Sequence, residues 1–324
     1  MRLADLPHPD VPERPAGDLA GAPLPLRHDV AWLRTVIVNV AFLGAPDAGE
    51  GGWVLVDAGI GGQANRIAEA ARRRYGDARP AAIVLTHGHF DHVGSLHALA
   101  DRWDVPIYAH RLELPYLDGR SAYPPPDPSV GGGAMARLSP LYPGGPFDFR
   151  GQLRALPDDG SVPGAPGWRW LHTPGHSPGH VSLLRDADRT LVAGDAFVTT
   201  KQESAIAALT QRLEVHGPPM YYTCDWDSAR ESVRALAEFA PDAAITGHGQ
   251  PMFGAALTDA LRTLARDFDR VSRPSHGRYA RQPAVTDARG VVSVPPPVAD
   301  ATPWAIAGGA VAVGMVIGAM RRER

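Results

Sequence analysis

An α+β fold, in which two sheet-and-helix halves face each other, is what the sequence predicts, on three observations. Short apolar runs rich in β-branched residues alternate with amphipathic stretches of helical spacing through most of the 324 residues. Two of the runs, "RPAAIVLTHGH" and "PDAAITGHGQ", echo each other: each follows a proline as a short strand and runs into His and Gly. Side chains able to bind a cation sit at the ends of several such runs, so two halves would have to meet around them.

The elements follow in order. Residues 1–30 are Pro-rich and without a period, which predicts a coil packed on the domain. "TVIVNVAFLG" (35–44) and "GGWVLVDAGI" (51–60) predict paired strands with a Gly/Pro/Asp turn between them. "QANRIAEAARRRYG" (63–76) has helical spacing and stops at Gly76. "RPAAIVLTHGH" is a buried strand, "FDHVGSLHALADRW" one helix and "VPIYAH" the next strand. Residues 114–150, with "YPPPDPSVGGGAM" and "YPGGPFDF", form a long Pro/Gly-rich loop of the kind that serves as a lid or binding loop. "WRWLHT", "HVSLLRD" and "RTLVAGDAF" predict strands; 225–241 is an amphipathic helix, "DAAITGHG" a strand and "ALTDALRTLARDFDRVSR" a last helix. The folded body is thus 31–290, and 291–303 is a Pro-rich linker.

Composition removes several classes of function. The formal charge of −3 gives no basic footprint for nucleic acid, and Lys201 is the only lysine. The single cysteine, Cys224, rules out an intrachain disulfide and any Cys-rich metal site, and reads as a small buried residue. The N-terminus lacks the apolar run of a secretory signal, so a cytoplasmic catalytic domain is expected. The C-terminus differs. Residues 304–320 carry no charge and 321–324 form a basic stop, which predicts a membrane-anchor helix and a membrane contact through it. Ala305 to Met320 would span about 24 Å as a helix, short of the roughly 30 Å hydrocarbon core. The sequence assigns no oligomeric state.

The chemistry concentrates in "HGHFDH". Imidazole and carboxylate are the donors a zinc-like ion takes when thiolates are absent. His87 and His89 lie two apart in an extended turn and can face one point, while Asp91 and His92 open the next helix and can face a neighbouring one. One ion needs three or four protein ligands, so further donors must come from other strand ends. "HTPGHSPGH" offers His176, "VAGDAF" Asp195 and "TGHGQ" His248. A carboxylate can bridge two cations, which places Asp195 between His87, His89 and His176 on one ion and Asp91, His92 and His248 on the other. His180, four residues after His176, is its rival or an outer support. His8, His28, His97, His110, His172, His216 and His276 read as ordinary histidines.

This order of residues, His87-x-His89-x-Asp91-His92 and then His176, Asp195 and His248, resembles the metallo-β-lactamase superfamily, and within it the glyoxalase II-like hydrolases. The resemblance covers roughly residues 30–255, and "VDAG" around Asp57 extends it. It implies a four-layer αββα sandwich of two mixed β-sheets with helices on the outer faces. It implies that Asp57 supports the ligands, and that His176 rather than His180 is one of them. It further implies a dinuclear zinc hydrolase, with iron or manganese as other metals. There a bridging hydroxide cleaves an ester, thioester or lactone of a small-molecule substrate, with Asp91 and Asp195 catalytic. Tyr221 or Tyr222 would donate to the oxyanion, as in lactonase-like relatives, or simply pack. The competing readings are a mononuclear iron persulfide dioxygenase-like enzyme and a non-catalytic, metal-stabilised binding module.

Overall fold

Along Val38–Leu43 the side chains alternate between two environments. Val40 and Phe42 join a core beneath helices, and Ala41 and Leu43 join a core between two sheets. A strand buried on both faces in this way belongs to the inside of a layered structure.

The computed structural model describes residues 22–298. Its first sheet has seven strands in chain order: β1 (Leu24–Arg27), β2 (Val30–Thr35), β3 (Val38–Leu43), β4 (Val54–Val56), β5 (Ala82–Val84), β6 (Ile107–Ala109) and β7 (Leu153–Ala155). Strands β1 to β4 pair antiparallel, and β4 to β7 pair parallel. The second sheet contains β8 (Trp168–His172), β9 (Val181–Arg185), β10 (Thr190–Gly194), β11 (Ala243–Thr246) and β12 (Met252–Phe253), in the order β12-β11-β10-β9-β8. Only its β10–β11 pair is parallel. A separate hairpin joins β13 (Val285–Asp287) to β14 (Gly290–Ser293).

The helices are α1 (Ala64–Tyr75), α2 (Phe90–Val93), α3 (Leu96–Trp103), α4 (Leu114–Leu117), α5 (Ala134–Leu138), α6 (Ala205–Thr210), α7 (Trp226–Phe239) and α8 (Gly254–Val271). Helices α1 and α3 bury Ile67, Leu96, Leu99 and Trp103 against the outer face of the first sheet. Helices α7 and α8 bury Val233, Leu236, Leu257 and Leu261 against the second. Between the sheets, Trp32, Val54, Val56 and Val84 meet Leu183, Val192 and Ile245. Each such side chain contributes about 1.5–3 kcal/mol on burial. This is the four-layer αββα sandwich, with both sheets mixed. Helix α7 starts where expected because the Asp225 carboxylate accepts from the amides of Asp227 and Ser228, both at 3.1 Å.

Several boundaries differ from the sequence expectation. Leu24–Arg27 is an edge strand rather than coil, and β2 already begins at Val30. The 35–44 run is not one strand: Val36 takes φ 66° and turns the chain into a β2–β3 hairpin. The Phe90–Trp103 stretch breaks into α2 and α3 because Gly94 packs on the 60–61 backbone, where a Cβ would lie 2.2 Å from Gly61 N. The Ser95 hydroxyl is also committed there, donating to Ile60 O at 2.7 Å. Within 114–150 lie α4 and α5, and β14 takes up 290–293 at the start of the expected linker. Residues 1–21 of the expected coil, the end of the linker, the candidate anchor 304–320 and the stop 321–324 lie outside the described residues. Among the described residues, no helix is long and apolar enough to cross a membrane.

Candidate metal centre

The C-terminal ends of β4, β5, β10 and β11 all come out on one edge of the sandwich, together with the β8–β9 loop. Beyond β5 the chain runs extended through His87 and His89 and then enters α2, so Asp91 and His92 sit in its first turn. His176 lies in the β8–β9 loop, Asp195 directly follows β10, and His248 stands two residues beyond β11. The two sheets are tied together there: the Asn39 amide donates to Thr246 O at 2.8 Å and to Gly249 O at 2.7 Å.

All seven predicted donors meet, and all are buried. Donor atoms fall within 4.8 Å of one another in three overlapping trios: His87, His89 and His176; His87, His92 and Asp195; Asp91, His92 and His248. His89 Nδ1 and His176 Nε2 are 2.9 Å apart. Asp195 lies between the groups, with Oδ2 3.4 Å from His176 Nε2 and 3.2 Å from His248 Nε2, and Oδ1 3.6 Å from His92 Nε2. Asp91 Oδ2 is 3.4 Å from His248 Nε2. Four donors about 2.1 Å from a central cation stand about 3.4 Å from one another, the spacing seen here.

Hydrogen bonds assign the imidazole tautomers and leave two inward nitrogens bare. Asp57 accepts from the Thr86 amide at 2.7 Å, from the Thr86 hydroxyl at 2.8 Å and from His92 Nδ1 at 2.8 Å. Because the Thr86 hydroxyl donates to Asp57, it accepts from His87 Nδ1 at 3.1 Å. His248 Nδ1 donates to Ile37 O at 2.9 Å, at the β2–β3 turn. His176 Nδ1 faces the Thr223 hydroxyl at 3.4 Å, and that hydroxyl donates to Pro219 O. What remains is His87 Nε2, His92 Nε2 and Asp195 Oδ1, buried without hydrogen-bond partners. Bare buried acceptors facing one another are costly, and a cation among them relieves the cost. The residues therefore fit a metal.

Their electrostatics agree. Burial opposes ionisation of Asp195, yet His248 and His92 hold its carboxyl well below the usual range. Burial drives His87 and His89 well below the ordinary imidazole value, with the neighbouring histidines adding to the effect, so both stand neutral. For His92 the burial penalty is outweighed by Asp57 and Asp195, which raise it well above, and Asp195 and then Asp91 raise His248 in the same way. Without a cation such an imidazole takes a second proton, and a cation would stand in that proton's place. Room is tight around Asp195. Gly247 has no unusual φ, but a Cβ there would lie 1.9 Å from Asp195 Oδ1.

The outer residues sort themselves. His180 is fully engaged: its Nε2 accepts from the Asp195 amide at 2.8 Å, and its Nδ1 donates to the Thr173 hydroxyl at 2.9 Å. It orients the Asp195 backbone and has no lone pair left for a metal. Tyr222 stacks on His89, with centroids 4.4 Å apart, and its hydroxyl is buried without a partner. Tyr221 packs beside Tyr222 at 5.1 Å in an apolar cluster with Val38, Ile60, Phe90 and Val130. Burial, then the charge of Asp91, raises both phenols well above their ordinary value, so both hydroxyls keep their protons. Sequence reasoning missed Thr86, Glu113, Tyr123 and Thr223. Thr86 adjoins the histidine motif and could have been flagged as its support, whereas the other three lie in segments with no motif.

Residues 33–248 match the family model described as the metallo-beta-lactamase superfamily. The chain is 44% identical over 247 residues to "Probable metallo-hydrolase YflN" of Bacillus subtilis, covering 76% of this chain and 93% of that protein. It is 32% identical over 197 residues to "Probable metallo-hydrolase YybB" of the same organism, covering 60% and 75%. Among solved structures, a beta-lactamase domain protein from Burkholderia ambifaria aligns with a TM-score of 0.52 at 23% identity, over 79% of this chain and 80% of that one. A metallo-beta-lactamase family protein from Thermus thermophilus gives 0.51 at 20% identity, over 76% and 81%. At these identities the structural likeness speaks for the fold alone.

Proposed function

The chain belongs to the metallo-β-lactamase superfamily, and on that premise we propose that it is a dinuclear zinc hydrolase of small-molecule esters, thioesters or lactones. His87, His89 and His176 would hold one cation, Asp91, His92 and His248 would hold the other, and Asp195 would serve both. The single observation that carries this reading is the position of the Asp195 carboxylate. One oxygen stands at ligand spacing from both His176 and His248, and the other faces the bare nitrogen of His92.

A bound pair of divalent cations lowers the pKa of a water toward neutrality and polarises a carbonyl. The chain does the rest. Asp57, Thr86, Ile37 O and Thr223 fix the imidazoles with their inward nitrogens unprotonated. Asp91 carries a proton from the attacking water to the leaving group. The Tyr222 hydroxyl, protonated and unpartnered, would donate to the oxygen that becomes negative in an acyl-transfer transition state. Phe90, Tyr221, Tyr222 and Val130 form an apolar cluster beside His89, which would suit an uncharged, apolar substrate portion.

Metal analysis of purified protein, alongside turnover of aryl esters, thioesters and lactones, tests this. About two zinc equivalents are expected, with activity lost on chelation and restored by zinc. One iron with oxygen consumption would instead mark the dioxygenase, and metal without turnover would mark a binding module.

A further inference from the structure

Glu113, which follows β6 and precedes α4, is completely buried and has four hydrogen-bond donors around its carboxylate. Oε2 accepts from the Gly88 amide at 3.0 Å and from the Tyr123 hydroxyl. Oε1 accepts from the Ser177 hydroxyl at 2.7 Å and from the Gly179 amide at 2.7 Å. Gly88 stands between His87 and His89, and Ser177 directly follows His176. Each carboxylate oxygen thus grips one of two loops, and those loops carry the first trio of donors. The approach is so close that side chains are excluded from it. A Cβ on Gly88 would lie 2.4 Å from Tyr123 Oη, and one on Gly179 would lie 2.7 Å from Glu113 N. Tyr123 also sets its ring edge-on to His89, with centroids 4.7 Å apart.

We infer that Glu113 is a positioning residue for the first cation: it sets the distance between the 87–89 loop and the 176–179 loop, and so the spacing of His87, His89 and His176. This rests on the dinuclear reading above. No atom of Glu113 need touch the metal. His89 Nδ1 and His176 Nε2 come within 2.9 Å across the two loops, and Glu113 accepts from Gly88 in one loop and from Ser177 in the other. The second trio takes its support elsewhere, from Asp57 and Ile37 O. Replacing Glu113 by glutamine keeps the size but turns an NH2 toward donors on one of the loops, so one grip is lost whichever way the amide lies.

Cobalt(II) titration, followed by absorption and calorimetry, separates this from a merely structural role. His89→Ala and His248→Ala chains assign the two binding phases. Glu113→Gln is expected to weaken the phase lost in His89→Ala by about 10–100-fold and to leave the other unchanged. Excess cobalt should then restore kcat. The inference is overturned if both phases keep their wild-type affinity, or if both weaken equally, as general loosening would produce. If Glu113→Gln does not fold, Ser177→Ala and Tyr123→Phe keep the carboxylate and remove one donor each. Both should weaken the same phase by a smaller factor, and absence of that selectivity overturns the inference as well. A wild-type chain that takes up no cobalt would instead overturn the dinuclear reading on which it rests.

Discussion

The first-sheet and second-sheet contributions to the site reach the same few ångströms by opposite means. On the first sheet, four donors come from six consecutive residues, and one carboxylate, Asp57, holds His92 directly and His87 through Thr86. On the second, His176, Asp195 and His248 come from three separate connections, each with its own anchor: Thr223, the His180 ring and Ile37 O. A compact cluster can share one support, and a dispersed one needs a support for every member. Damage to an anchor should therefore spread across donors on the first sheet and stay local on the second.

The largest effect should come where the two contributions meet. Asp195→Ala removes the shared carboxylate, and we expect activity to fall by about 10³-fold or more with less than two metals retained, read by steady-state kinetics and metal analysis. Tyr222→Phe should lower kcat by about 10²-fold with metal content unchanged, since only the proposed oxyanion donor is lost. Asp57→Asn, on the compact side, should weaken metal binding by about 10–100-fold and affect both cations, because His92 and His87 lean on it together.

The dispersed side has an acid weakness. His110 and His172 stack at 4.2 Å, and His172 Nε2 donates to Pro178 O in the loop that carries His176. Burial, then His172 and Arg111, pulls His110 down to about 3. The unfolded chain takes up a proton near pH 6.5 that the folded chain refuses. The stability due to this pair is fully present above about pH 6.5 and declines as pH falls toward about 3. Thermal midpoints should show His110→Phe gaining on wild type as pH drops through that window. The smallest effect belongs to Thr223→Val: its contact with His176 is long, 3.4 Å, so metal affinity should fall by under about tenfold in the same titration.

The same contrast decides what could be read from the chain. Periodicity marked α1, α7, α8 and the central strands, because each buries one regular face. It failed at Val36, where one residue of positive φ makes the β2–β3 turn, and at Gly94–Ser95, where contact with the 60–61 backbone overrides the local pattern. The compact donors were legible as a string, and the dispersed ones by residue type at strand ends. Glu113 and Tyr123 were not legible at all. A lone acid in "RLELPY" has nothing to distinguish it until folding surrounds it with amides and hydroxyls.

Gly247 carries a last consequence. Its φ lies outside the left-handed region that favours glycine, and a Cβ there would meet an Asp195 oxygen. A relative with a bulkier residue here must seat its Asp195 counterpart differently, and with it the carboxylate oxygen that the proposed pair of cations would share. The residue at this one position thus reports how a relative seats its carboxylate.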